Sequence, residues 1–143
     1  RRPRSTGMRI FLDANVLFSA AKSAGAVRAL LGSLEAAGHT LCADDYVVAE
    51  ARRNLEAKGH GAVDTLDTIL TGIDVAGFRR DEPDPQVAAL LPEKDRPVLA
   101  AAIRLGCHVL VTGDRTHFSR LYGRSIRGVG IHSPRSLYEA LFG

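Results

Sequence analysis

The strongest constraint on the fold of this chain is an alternation. Short aliphatic runs, too brief for helices, take turns with longer Ala- and Leu-rich segments of helical period. Residues 8–12 (MRIFL) form the first such run and read as a buried strand. A helical stretch follows to about Ala37, with Gly25 and Gly32 as points where it bends or splits. Residues 39–43 read as a second strand. Asp44 and Asp45 are natural N-caps for a helix over 46–58. Residues 59–61 (GHG) break the chain, and 63–70 look helical. A third strand is expected within 72–78, a loop over 79–85 and a short helix over 85–91.

The second half is punctuated more clearly. Pro97 sits in the first turn of an Ala-rich helix over 97–105, where its missing N–H costs nothing, and Gly106 ends that helix. Residues 108–111 are the plainest strand in the chain, with Thr112-Gly113-Asp114 as its exit loop. A short helix over 116–121 and a weaker strand over 126–131, interrupted by Gly128 and Gly130, come next. Ser133 as N-cap and Pro134 at the first helical position open a last helix to Phe142. Strands alternating with helices predict a three-layer α/β/α domain around a central, mostly parallel sheet of about five strands.

Composition narrows the function classes. The chain has 143 residues, enough for one domain over 8–143, with residues 1–7 as a basic arm, native or left over from expression. No apolar run reaches the roughly 18 residues of a membrane span, and residues 10–12 are too short for a secretory signal. Cys42 and Cys107 lack metal-ligand spacing and read as buried, reduced thiols, which suits a cytoplasmic protein. The net charge of +3 comes from the three arginines of residues 1–7; the other 136 residues are neutral overall. Bulk charge therefore gives no argument for a nucleic-acid partner. Local charge does: Arg115, Arg120, Arg124, Arg127 and Arg135 lie in one segment without an acid. Arginine suits bidentate phosphate contact, although a solvated basic face would look the same.

Acidic residues carry the chemistry. In open parallel sheets, sites form where strands end and helices begin. Asp13 directly follows the first strand, Asp114 follows the strand over 108–111, and Asp95 heads the helix feeding that strand. Glu50 lies in the helix begun at Asp45. Each has an ordinary explanation alone: Asp13 and Asp95 as helix N-caps, Asp114 as a turn residue, Glu50 as a solvent-facing side chain. Converging on one edge, they would repel one another unless a divalent cation neutralised them. Hard oxygen ligands suit Mg2+ or Mn2+, which can activate a water against a phosphodiester.

These segments resemble the PIN domains, ribonucleases that include the VapC-type toxins of toxin–antitoxin pairs. MRIFLDANVLFSA is similar to the family's first motif, YVVAEARRNL to the second, and EKDRPVLAAAIRLGCHVLVTGDRTHF to the third and fourth run together. The similarity runs from Met8 nearly to Phe142. It implies a metal-dependent endoribonuclease whose Mg2+ (or Mn2+) is held by Asp13, Glu50, Asp95 and Asp114, with Asn15 and Thr112 as hydrogen-bonding support. Many members carry a further acid two or three residues past the last Asp, where this chain has Thr116 and His117. That difference favours one tightly held metal over two.

The resemblance also implies an RNA substrate, a homodimer and a cognate antitoxin protein. Arg115, Arg96 and Arg53 are candidate phosphate contacts; Arg53, three residues past Glu50, could instead orient it. His117 could touch a phosphate or carry a proton, or be a half-buried loop histidine. A haloacid-dehalogenase-type phosphatase would need a second Asp where this chain has Asn15, which cannot serve as a general acid. A non-catalytic nucleic-acid-binding or protein-interaction module on the same fold is the alternative function.

Overall fold

A computed structural model describes residues 7–58, 61–80 and 84–143. The anticipated basic arm over 1–7 lies outside them apart from Gly7, as do residues 59 and 60 of the break and 81–83 of the loop. Among the described residues, six strands form one sheet: β1 (Arg9–Leu12), β2 (Thr40–Asp44), β3 (Asp74–Ala76), β4 (Val109–Val111), β5 (Ser125–Ile126) and β6 (Val129–His132). Their order is β3-β2-β1-β4-β6-β5, parallel except for β5, which runs antiparallel to β6. In β1, Ile10, Phe11 and Leu12 are all fully buried. Successive strand residues point to opposite faces, so both faces of the sheet are covered at its centre. The same holds for Val109, Leu110 and Val111 of β4, with β1 directly beside it.

Helices α1 (Ala14–Lys22), α2 (Ala26–Ala36), α3 (Asp45–Lys58), α4 (Val63–Leu70), α5 (Pro85–Leu90), α6 (Arg96–Arg104), α7 (Arg115–Phe118) and α8 (Pro134–Phe142) flank the sheet. α1 packs against α2, α3 and α4, and α3 also meets α6. Gly106 ends α6 with φ +69°, a conformation open to glycine at little steric cost. Cys42 and Cys107 are buried and unbridged, as anticipated. Among the described residues, no helix is long and apolar enough to cross a membrane.

The first long stretch splits at Ser23–Gly25, where Ser23 and Gly25 are extended, at one of the two glycine points anticipated, while Gly32 stays inside α2. One detail differs from expectation. The expected single strand over 126–131 is a hairpin. Ile126 pairs with Val129, and both loop residues between them have positive φ, Arg127 at 53° and Gly128 at 83°. That is the two-residue type I′ geometry, and it makes the sixth strand.

The strand order fixes where a site can form. From β1 the chain builds toward β2 and β3; from β4 it builds the other way. The carboxyl ends of β1 and β4 therefore flank the switch point of the sheet, where the diverging connections leave a crevice.

Candidate active site

Asp13 leaves β1 at that crevice. Its backbone N–H donates to the carbonyl of Val111 at 3.0 Å, which ties the ends of β1 and β4 together. The side chain caps α1: Oδ1 accepts from the N–H of Ala14 at 2.7 Å. Oδ2 accepts from the hydroxyl of Thr112 at 2.8 Å. Thr112 is fully buried, and its Oγ1 in turn accepts from the N–H of Asp114 at 3.1 Å. That backbone donor leaves the hydroxyl proton for the carboxylate of Asp13. Asn15 closes the ring. Its Oδ1 accepts from the N–H of Gly113 at 2.7 Å, and its Nδ2 lies 3.4 Å from both Asp13 Oδ2 and Thr112 Oγ1. One polar lattice thus joins the exits of β1 and β4.

Asp114 begins α7. Its Oδ1 accepts from the N–H groups of Thr116 and His117 at 3.1 and 3.2 Å. Its Oδ2 faces Nδ1 of His117 at 2.9 Å. The same nitrogen lies 2.9 Å from Oδ2 of Asp95. Asp95 ends the single 3-10 turn Glu93–Asp95 before α6 and is only 9% exposed. It does not act as a side-chain cap for α6, so the ordinary explanation of this acid fails. Its Oδ2 is buried and lacks a hydrogen bond: the contact with His117 is close enough for an ion pair but misaligned for hydrogen bonding. The oxygens of Asp95 and Asp114 and the nitrogen of His117 all lie within 4.8 Å of one another.

Glu50, half-buried on α3, reaches this group electrostatically. Burial pushes the Asp13 carboxyl up to about 6, against the lowering pull of the Thr112 and Ala14 hydrogen bonds; the charges of Glu50 and Asp95 add to the rise. Asp95 is raised as well, first by burial and then by Asp114, while His117 and Lys94 oppose the shift. Asp95, Asp114 and His117 thus form one cluster; Asp13, braced by Asn15 and Thr112, feels the charges of Glu50 and Asp95, and no hydrogen bond or ion pair ties Glu50 to the cluster among the described residues.

Three further residues join the acids: His117, already a candidate in the sequence, and Tyr46 and Tyr122, which were not. His117 sits between two of the acids. Tyr46 lies four residues before Glu50 and hence on its face of α3, a spacing that could have pointed to it. Its hydroxyl donates to the carbonyl of Lys94 at 2.9 Å, and its ring stacks on Phe78 with centroids 5.3 Å apart. It thereby pins the turn that presents Asp95. Tyr122 donates to the carbonyl of Thr112 at 2.9 Å. Burial raises both phenols, with Glu50 the largest charge acting on Tyr46 and Asp114 the largest on Tyr122.

The arginines divide. Arg115 is exposed beside Asp114. Arg96 directs Nε to the carbonyl of Leu91 at 2.9 Å, so part of its guanidinium is committed to the backbone. Arg53 is exposed and forms no ion pair with Glu50 among the described residues; its neighbour Arg52 pairs with Asp67 at 3.0 Å. Arg127 pairs with Asp84 at 3.0 Å and Arg135 with Glu139 at 3.3 Å, whereas Arg115, Arg120 and Arg124 form no ion pair among the described residues.

A divalent cation fits these residues. The donors are hard oxygens, and one of them is a buried carboxylate oxygen with no hydrogen bond. A parallel sheet with a carboxylate cluster at its switch point is the general class that fold and crevice define. Within it, a sequence profile of the PIN domain matches residues 9–116, and the chain belongs to the PIN domain family. No curated protein matches it significantly by sequence.

Solved structures match the fold. VapBC2 from Rickettsia felis, bound to a DNA fragment from their promoter, is 17% identical with a TM-score of 0.62, covering 88% of this chain and 98% of that one. FitAcB from Neisseria gonorrhoeae is 22% identical with a TM-score of 0.60, covering 88% and 98%. VapC20 from Mycobacterium tuberculosis, described as a sarcin–ricin loop cleaving toxin, is 18% identical with a TM-score of 0.55, covering 78% and 94%.

Proposed function

We propose that this protein is a metal-dependent endoribonuclease that hydrolyses RNA phosphodiester bonds with Asp13, Glu50, Asp95 and Asp114 as the cation's ligands. The observation that carries the reading is the burial of Asp95 beside other carboxylates with one oxygen unpartnered. Leaving a buried carboxylate oxygen unmet costs about 1–3 kcal/mol or more. A cation bound among these carboxylates would satisfy it. Mg2+ or Mn2+ would neutralise the cluster, lower the pKa of a bound water and offset charge building on the phosphate.

The chain's own residues do the positioning. Thr112 and Asn15 fix the rotamer of Asp13, so that carboxylate needs no reorganisation when charge arrives. Tyr46 holds the Asp95 turn against α3. Arg115, exposed and next to Asp114 in the chain, is the candidate contact for the phosphate.

RNA is favoured as substrate by family membership and by the likeness to VapC20, a sarcin–ricin loop cleaving toxin. The neighbouring toxin–antitoxin complexes favour an antitoxin partner. The test is incubation with structured and single-stranded RNAs in Mg2+, Mn2+ or EDTA, beside the Asp13→Asn/Asp114→Asn double variant. Metal-dependent cleavage that disappears in the folded variant is the expected result. No cleavage, together with no cation binding by calorimetry, would defeat the reading in favour of a binding module.

A further inference from the structure

We infer that His117 supplies a nitrogen ligand to the cation of this crevice, and that it shifts the site's preference from Mg2+ toward transition-metal dications. The inference rests on the metal-dependent reading above and adds to it a donor outside the four acids.

The first observation is geometric. Nδ1 of His117 lies 2.9 Å from Asp114 Oδ2 and 2.9 Å from Asp95 Oδ2. Around an octahedral cation with ligand distances of about 2.1 Å, adjacent donors stand about 3.0 Å apart and opposite donors about 4.2 Å apart. Both 2.9 Å spacings match adjacent positions. The remaining pair, within 4.8 Å, accommodates either arrangement of the two carboxylates.

The second observation is an unmet oxygen. A ring N–H points along one axis and serves one acceptor well. Here the geometry satisfies Asp114 and leaves Asp95 Oδ2 without a hydrogen bond, although that residue is nine-tenths buried. A proton on Nδ1 cannot serve both oxygens; a cation among the three donors can. Metal binding would leave the imidazole neutral, with its proton on Nε2.

The local fold supports this role. Phe118, fully buried, anchors α7 directly after His117. The N–H of Phe118 donates to the carbonyl of Asp114 at 3.1 Å, and that of His117 donates to the Asp114 side chain. The imidazole is thus presented by a turn whose other end is itself a ligand. Imidazole nitrogen is a good ligand for transition-metal dications and a poor one for Mg2+, which selects oxygen. Exchanging one oxygen donor for this nitrogen therefore changes which cation the crevice takes.

The experiment uses Mn2+ and Mg2+ alone, without RNA. Electron spin echo envelope modulation of the Mn2+-loaded protein is expected to show nitrogen coupling that is lost in His117→Ala and His117→Asp. Calorimetric competition should show the Mn2+-over-Mg2+ preference falling about tenfold in His117→Asp, which restores an oxygen donor. Bound Mn2+ without nitrogen coupling in the unsubstituted protein, or an unchanged preference in a folded His117→Asp, overturns the inference and leaves the four-acid site standing. Failure of the unsubstituted protein to bind either cation overturns both readings. Should a variant misfold by circular dichroism, the nitrogen coupling of the unsubstituted protein decides alone.

Discussion

The hydroxyl of Thr112 donates to Oδ2 of Asp13 at 2.8 Å, joining residues 99 positions apart across the switch point of the sheet. The direction of that bond is enforced, because Thr112 Oγ1 accepts from the backbone N–H of Asp114. Thr112→Val keeps the shape and removes the bond. Asp13 then loses the strongest influence holding its carboxyl down, so its pKa should rise above about 6. Cation affinity should fall about 10- to 100-fold, the usual cost of losing a ligand's supporting partner. NMR titration of Asp13 and calorimetry with Mn2+ check the two effects.

The raised carboxyl of Asp13 makes the metal-free protein pH-sensitive. Its folded value of about 6 lies above the ordinary 3.8, so between those values the folded chain holds a proton that the unfolded chain has released. Stability should therefore be greatest below about pH 4 as far as this group is concerned, and should decline as pH rises toward 6, by on the order of 3 kcal/mol. Asp95 and Asp44, both raised chiefly by burial, contribute with the same sign. Asp13→Asn should consequently melt higher than the unsubstituted protein at pH 7.5 in EDTA. Saturating Mn2+ should reverse that order, because only the carboxylate gains from the cation. Equal melting temperatures in EDTA would count against a strained carboxylate.

Much of this arrangement was legible before any fold was drawn, and the reasons are specific. β1 and β4 are continuous apolar runs because both faces of the sheet are covered there, so Asp13 and Asp114 could be placed at strand exits from residue order alone. Glu50 and Asp95 were legible as helix positions, but their convergence depends on how α3 and α6 meet, which periodicity does not encode. His117 was legible as a neighbour of Asp114, but its contact with Asp95, 22 residues away along the chain, was not. The β5–β6 hairpin was hidden because Arg127 takes a positive φ that its residue type disfavours, so the segment read as one interrupted strand.

Arg115 and Arg127 test the basic segment against each other. Arg115 is exposed next to Asp114, whereas Arg127 is held by Asp84 at 3.0 Å. Arg115→Ala should weaken binding of a single-stranded RNA and reduce the slope of log K against log salt by about 0.7, the share of one phosphate contact. Arg127→Ala should leave that slope nearly unchanged. Neither substitution should alter Mn2+ affinity. Equal slopes for both variants and the unsubstituted protein would remove Arg115 from the RNA path.

Tyr46→Phe separates support of the Asp95 turn from packing. The substitution keeps the stacking on Phe78 and deletes only the donor to the Lys94 carbonyl. The cost in global stability should be about 0.5–1.5 kcal/mol, that of one ordinary hydrogen bond. The site should suffer more than the fold. Lys94 is the residue before Asp95, so freeing its carbonyl lets the turn relax and moves a ligand whose value depends on sub-ångström placement. Cation affinity and RNA cleavage should fall together, by a larger factor than the loss of stability predicts, while hydrogen exchange rises locally over residues 93–96. A fall in stability with unchanged cation affinity would show that the phenol serves packing alone.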